Sequence, residues 1–126
     1  MKSDKPFSIQ ARLKSFVYAY EGVKHFMRFE AQAVIHLIAA LTVIGAGFWF
    51  EINSTEWIAI CFAIGIVVVA EMLNTAIEKL TDMVSPEINL KAKVVKDLAA
   101  GAVLVASMVA VVIGLLVFLP KILYYN

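Results

Sequence analysis

The stretch AEMLNTAIEKLTD, Ala70 to Asp82, carries Glu71, Asn74, Glu78 and Asp82 directly after the apolar run FAIGIVVVA. On a helix advancing roughly 100° per residue, with Glu71 at zero, Asn74 falls near 300°, Thr75 near 40°, Glu78 near 340° and Asp82 near 20°. The polar side chains therefore share a sector about 100° wide, and Glu71 and Glu78 stand about 10 Å apart along the axis. Met72, Leu73, Ala76 and Ile77 take the other faces. A carboxylate within a bilayer costs about 2–3 kcal/mol on insertion scales, so it turns inward, pairs, or holds a cation.

Further polar residues reach the same level. Glu30 stands just before the first apolar run, and Lys96-Asp97 opens the last one. Pairing of Glu78 or Asp82 with Lys96 would account for two acids. It would not account for four, and oxygen donors in excess of cations suit Mg²⁺ or a similar hard ion. Mg²⁺ held by one or two carboxylates is a common way to hold nucleotide phosphates. Lys96 would then meet a phosphate as a point charge. A remaining carboxylate at the apolar boundary would take the proton of a lipid hydroxyl. The chain has no GxxxxGK[ST] and no GxGxxG, so no soluble nucleotide-binding loop is present. From the residues alone this is cation-dependent chemistry at the inner leaflet.

The elements that must position these groups are membrane helices. The 126 residues are 62% hydrophobic, with mean hydropathy +0.86, well above the roughly 45–50% apolar usage of soluble domains. This length predicts a single domain, residues 1–126. Three spans are expected: Ala33 to Phe50, Trp57 to Leu80, and Leu98 to Leu119. Each is near the ~20 residues a helix needs to cross the hydrocarbon. The fold class is thus all-α, an integral membrane protein of three transmembrane helices. The N-terminal segment shows no secretory signal. Instead, Leu13, Phe16, Val17, Tyr20, Val23 and Met27 share one helical face over about residues 7–29, opposite Lys14, Tyr18, Glu21, His25 and Arg28. That pattern predicts an amphipathic helix lying on the membrane surface.

Charge placement sets orientation. Six basic residues precede the first span, and Lys79, Lys91, Lys93 and Lys96 lie around the second link. Ten of the eleven thus fall on one side, with only Lys121 on the other. The N-terminus and the polar stripe are expected in the cytoplasm, with the C-terminus outside. A net charge of +1 implies no nucleic-acid partner. Ser85-Pro86 predicts a turn, with SPEINLKAK as a short loop. Cys61 reads as a small buried hydrophobe. His36 reads as a hydrogen bonder between helices, Trp49, Trp57 and Tyr124-Tyr125 as outer interfacial anchors, and Gly45, Gly47, Gly65, Gly101 and Gly114 as points of close helix packing.

The segments AEMLNTAIEKLTDMVSPE (70–87) and AKVVKDLAAGAVL (92–104), with SFVYAYEGVK (15–24) and FEAQAVIH (29–36), resemble the prokaryotic diacylglycerol kinase family, which includes undecaprenol kinases. The resemblance covers nearly the whole chain. It implies a homotrimer in the bacterial cytoplasmic membrane, with active sites at subunit interfaces, where MgATP phosphorylates a lipid hydroxyl. By motif, Glu71 resembles the catalytic base, Glu30 and Glu78 the magnesium ligands, and Asn74 and Asp82 supporting polar residues. Arg12, Tyr18, Glu87, Lys96 and Asp97 resemble nucleotide contacts, alongside Glu30 and Glu78. Ile88 and Asn89 stand where some members have Tyr and His. KLTDMVSPE, FEAQAVIH and KDLAAGAVLVAS look closer to the undecaprenol branch. Two other classes use the same acids: an oligomeric proton or cation transporter, and a non-enzymatic membrane subunit whose acids pair with a partner.

Overall fold

The computed structural model describes residues 6–124. Among them every regular element is a helix: α1 (Ile9–Phe29), α2 (Ala31–Trp49), α3 (Ser54–Val84) and α4 (Leu90–Tyr124). Lys2, Lys5 and Tyr125, used above for charge and anchoring, lie outside the described residues. The chain divides into two units, residues 1–34 and 35–126.

In the N-terminal unit, Ser8 caps α1 by accepting the Ala11 N–H on its side chain at 3.3 Å. Its apolar positions Leu13, Phe16, Val17, Tyr20, Val23 and Met27 are all exposed, and only Phe26 is buried. The helix breaks at Glu30, whose backbone is extended (φ −105°, ψ 119°). The Glu30 N–H still closes the last turn on the Phe26 carbonyl, and the Glu30 carbonyl accepts the Ala33 N–H.

α2, α3 and α4 are each long and apolar enough to cross a membrane. The turn at 50–53 passes through Glu51 at φ 50°, the left-handed region. Asn53 then starts α3 with a capping box: its side chain accepts the Glu56 N–H, and Glu56 accepts the Asn53 N–H.

α3 and α4 are the closely packed pair. Ion pairs at both ends set their register. Asp82 meets Lys96 near the 85–89 turn, and Glu56 meets Lys121 at 3.2 Å at the opposite end. Their matched separations along the two helices show that these run antiparallel. The hydrophobic core sits at the Glu56–Lys121 end, where Ile52, Ile60 and Val117 are buried beneath Val43, Trp57, Ile113 and Phe118. Trp57 is consequently a core side chain, tilted against Phe48 at 4.9 Å, whereas Trp49 is exposed as an interfacial anchor would be.

The spans are longer than the apolar runs suggest. α3 continues through the whole polar stripe, and α4 begins at Leu90. The expected loop SPEINLKAK is therefore only 85–89. Asn89 starts the helix early by accepting the Lys91 N–H on its side chain at 2.8 Å and the Lys93 N–H on its carbonyl. Cys61 is exposed, contrary to expectation, because α3 turns Ile60, Ala63 and Val67 to the interior instead. Of the five glycines, only Gly47 makes a close approach: a Cβ there would lie 2.6 Å from Trp57 Cη2 and 3.1 Å from Ile52 Cδ1. At Gly45, Gly65, Gly101 and Gly114 a Cβ would meet nothing within 4 Å among the described residues.

Candidate active site

The polar stripe of α3 from Glu71 to Asp82 does not form one cluster; it resolves into three pairings along the helix. Glu71 is the deepest. At 8% exposure it is the only buried charged residue among the described residues. Its Oε1 lies 3.0 Å from Nε2 of His36 on α2. One turn on, Asn74 donates from Nδ2 to Glu78 Oε1 at 3.3 Å. The oxygen of this amide, Oδ1, is buried with no hydrogen-bond partner. Beyond that, Asp82 accepts from Lys96 across to α4, while Lys93 holds Asp97 at 2.5 Å within α4.

Helix geometry places these pairings at different depths. Counted from the start of α3 at Ser54, Glu71 lies about 26 Å along the axis, Glu78 about 36 Å and Asp82 about 42 Å. For hydrocarbon ~30 Å thick that begins at Ser54, this spacing would put Glu71 just inside the far boundary and Glu78 and Asp82 at headgroup level.

Two recesses flank the stripe. One is an apolar cleft of about 140 Å³ between α2, α3 and α4, lined by His36, Ala40, Val43, Ala63, Val67 and Gly114. The other is a polar pocket of about 320 Å³ around the α3–α4 turn, lined by Asp82, Glu87, Lys93, Lys96 and Asp97 together with Ser85 and Asn89. Glu87, Lys96, Asp97 and Asp82, expected from separate motifs to serve one site, thus surround one pocket. Ile88 and Asn89 line the same pocket.

Arg12, Tyr18 and Glu30 belong to the N-terminal unit. Arg12 lies over the Phe7 ring at 5.5 Å, and Tyr18 is exposed. Glu30 occupies the break between α1 and α2. Among the described residues, no three His, Cys, Asp or Glu side chains gather as a metal cage. The participant that sequence reasoning underrated is His36. It does bond between helices as expected, but its partner is Glu71 itself. The available signal was a lone polar side chain in an apolar run, six residues after Glu30.

A helical multi-pass membrane protein with a buried carboxylate on one span and a polar pocket at the end of that span defines the class. The family model described as prokaryotic diacylglycerol kinase matches residues 17–118, and the chain belongs to that family. It is 43% identical over 108 residues to an undecaprenol kinase of Bacillus subtilis, covering 86% of this chain and 88% of that one. It is 34% identical over 112 residues to a diacylglycerol kinase of Synechocystis, covering 88% of this chain and 64% of that one. A diacylglycerol kinase of Escherichia coli K12 is 26% identical over 100 residues, 79% and 82% of the two chains.

Proposed function

We propose that this protein is a lipid kinase that transfers the γ-phosphoryl group of ATP to the hydroxyl of a membrane lipid alcohol, with a polyprenol as the first choice and diacylglycerol as the second. The observation that carries the reading is the position of Glu71: a buried carboxylate on a membrane-length helix, placed along α3 between Val67, which lines the apolar cleft, and Asp82, which lines the polar pocket. The kinases among its relatives support the reaction class, and the near full-length 43% identity to the undecaprenol kinase supports the polyprenol.

In this reading Glu71 takes the proton of the lipid hydroxyl as its oxygen attacks phosphorus. The lipid's hydrocarbon lies on the apolar side and the nucleotide on the polar side. Lys96 provides a mobile ammonium for phosphate oxygens, exchanging Asp82 for the nucleotide. Glu87 and Asp97 line the pocket's rim. Mg²⁺ fits the donors present, because Glu78 and the unpartnered Asn74 Oδ1 are hard oxygen ligands, and Mg²⁺ takes its remaining ligands from water and phosphate. Bound there, it would neutralise charge on the transferring phosphoryl group. Glu30, by its motif, is the second carboxylate ligand.

The N-terminal helix lies on the inner leaflet with its exposed apolar face in the lipid. The distribution of basic residues supports a cytoplasmic N-terminus and polar pocket, with the C-terminus outside. The exposed Glu78 and the orphaned Asn74 oxygen on a membrane helix support completion of the site by another subunit, in a homotrimer.

The test is ATP-dependent phosphorylation by purified protein in mixed micelles, with undecaprenol and diacylglycerol offered separately. Transfer to undecaprenol above diacylglycerol is expected. No transfer to either lipid by folded oligomer with Mg²⁺ present would refute the proposal.

A further inference from the structure

We propose that His36 is a positioning residue for Glu71, holding one carboxylate oxygen so that the other faces the lipid hydroxyl; this rests on the reading of Glu71 as the base. To serve as the base Glu71 must be a carboxylate, which only accepts hydrogen bonds, so in that role the proton in the 3.0 Å contact is carried by His36 Nε2. Oε1 of Glu71 is thereby engaged, and Oε2 is left to receive a proton.

The setting makes this bond consequential. The two side chains are 20% and 10% exposed, where water competes weakly and a hydrogen bond to a charge is strengthened. The bond joins α2 to α3, whereas the close backbone packing in this unit is between α3 and α4. One imidazole therefore does much to fix the carboxylate against α2. The same ring lines the apolar cleft, so the residue that orients the carboxylate also borders the surface available to a hydrocarbon chain. Without His36, the Glu71 carboxylate would lose the one hydrogen bond that fixes its orientation among the described residues. Loss of alignment at the reacting centre lowers turnover more than it lowers binding.

In the transfer step, the lipid O–H proton passes to Glu71 Oε2. The lipid oxygen forms its bond to the γ-phosphorus, and the bond from that phosphorus to the β,γ-bridging oxygen breaks, its electron pair leaving on ADP. The proton on His36 Nε2 stays in place throughout.

The experiment compares His36→Leu, His36→Gln and Glu71→Gln with wild type in the mixed-micelle assay, separating kcat from KM for both substrates and recording oligomeric state and melting temperature. His36→Leu should lower kcat on the order of 10- to 100-fold, the loss expected for one hydrogen bond to a charged group, with both KM values little changed. His36→Gln, which still carries a donor of similar reach, should recover most of that loss. Wild-type kcat in His36→Leu, or equal losses in the Leu and Gln variants, would overturn the proposal. So would a lowered melting temperature with unchanged kcat, the signature of a helix tether alone. If His36→Leu does not fold, NMR of wild-type protein with isotope-labelled histidine reads the same point: Nε2 protonated is expected, and Nε2 bare with the proton on Nδ1 would overturn it. Glu71→Gln separates the two layers. An inactive Glu71→Gln beside a fully active His36→Leu removes only the role of His36, whereas an active Glu71→Gln removes the base itself.

Discussion

Replacing Glu71 with glutamine changes one atom at the site and spares its surroundings. The side chain is 8% exposed and packed in a helix that continues well beyond it. Glutamine keeps the volume, and its carbonyl oxygen can still accept the proton of His36 Nε2 now held at 3.0 Å. The structural cost should therefore stay within about 1.5 kcal/mol, as for volume-conserving changes. What is lost is the capacity to take a proton, and a positioned general base contributes about 10²–10⁴-fold. At about 1.4 kcal/mol per tenfold, that is about 3–5 kcal/mol of transition-state free energy. Glu71→Ala would confuse the two effects, because it would also leave His36 without its partner at about 1–3 kcal/mol. The assay is transfer of labelled γ-phosphate from ATP to undecaprenol in mixed micelles, with nucleotide binding and oligomeric state measured on the same preparation. The expected outcome is transfer reduced by at least two orders of magnitude with binding and assembly retained. A variant that turns over at the wild-type rate would refute the base assignment. So would one that loses nucleotide binding to the same extent as transfer, since Glu71 would then serve the nucleotide.

Other positions give independent checks. Glu78→Ala removes a carboxylate whose neighbour is an amide with an unpartnered oxygen; the Mg²⁺ concentration for half-maximal transfer should rise, and an unchanged Mg²⁺ dependence would remove Glu78 as a ligand. Asp82→Asn releases Lys96 from its carboxylate while preserving shape; a surviving α3–α4 pair with altered KM for ATP is expected, and a KM identical to wild type would count against Lys96 as a phosphate contact. Gly47→Ala places a methyl 2.6 Å from the Trp57 ring; overpacking of this kind costs about 1–3 kcal/mol, read as a lower melting temperature in detergent. Glu51 sits at φ 50°, so Glu51→Gly should be tolerated and Glu51→Val should destabilise by about 1–2 kcal/mol.

Much of the fold was legible because the bilayer imposes it. Apolar runs near the length of a span predicted three helices, and three are present. Their ends were not legible, because hydropathy marks where lipid ends and not where a helix ends. α3 runs on through Glu78 and Asp82, and α4 starts at Leu90, held by Asn89. The shared face of Glu71, Asn74, Glu78 and Asp82 was legible from helical period alone. How these residues pair was only partly so, since partners lie on other helices: Lys96 was expected with Glu78 or Asp82 and meets Asp82, and His36 was not foreseen for Glu71. An imidazole in an apolar run shows that it needs a partner without showing which one. The glycines failed for a related reason. Small residues permit close approach, but among the described residues only Gly47 has a neighbour within 4 Å of its Cβ position.

The distribution of ionisable groups along the spans separates a surface enzyme from a conduit. A proton or cation path needs acceptors at intervals across the hydrocarbon. Within α3, the segment between Glu56 and Glu71 contains no ionisable side chain except Cys61, a thiol with no carboxylate or histidine among its helix neighbours, over about 22 Å of axis. Within α4, none lies between Asp97 and Lys121, and α2 contributes His36 alone. The acid and base at the far end, Glu56 and Lys121, satisfy each other and secure α3 to α4. Polar chemistry is thus confined to one end, where Glu71 marks its deepest point and the pocket of Glu87, Lys96 and Asp97 its mouth. Under the proposed function, such an arrangement would let a soluble phosphate donor and a membrane alcohol meet without either crossing the bilayer. Under that function it also accounts for the cost of a carboxylate near hydrocarbon: as the base, Glu71 would have to be close enough to reach a lipid hydroxyl, and its contact with His36 keeps it from being left unpaired.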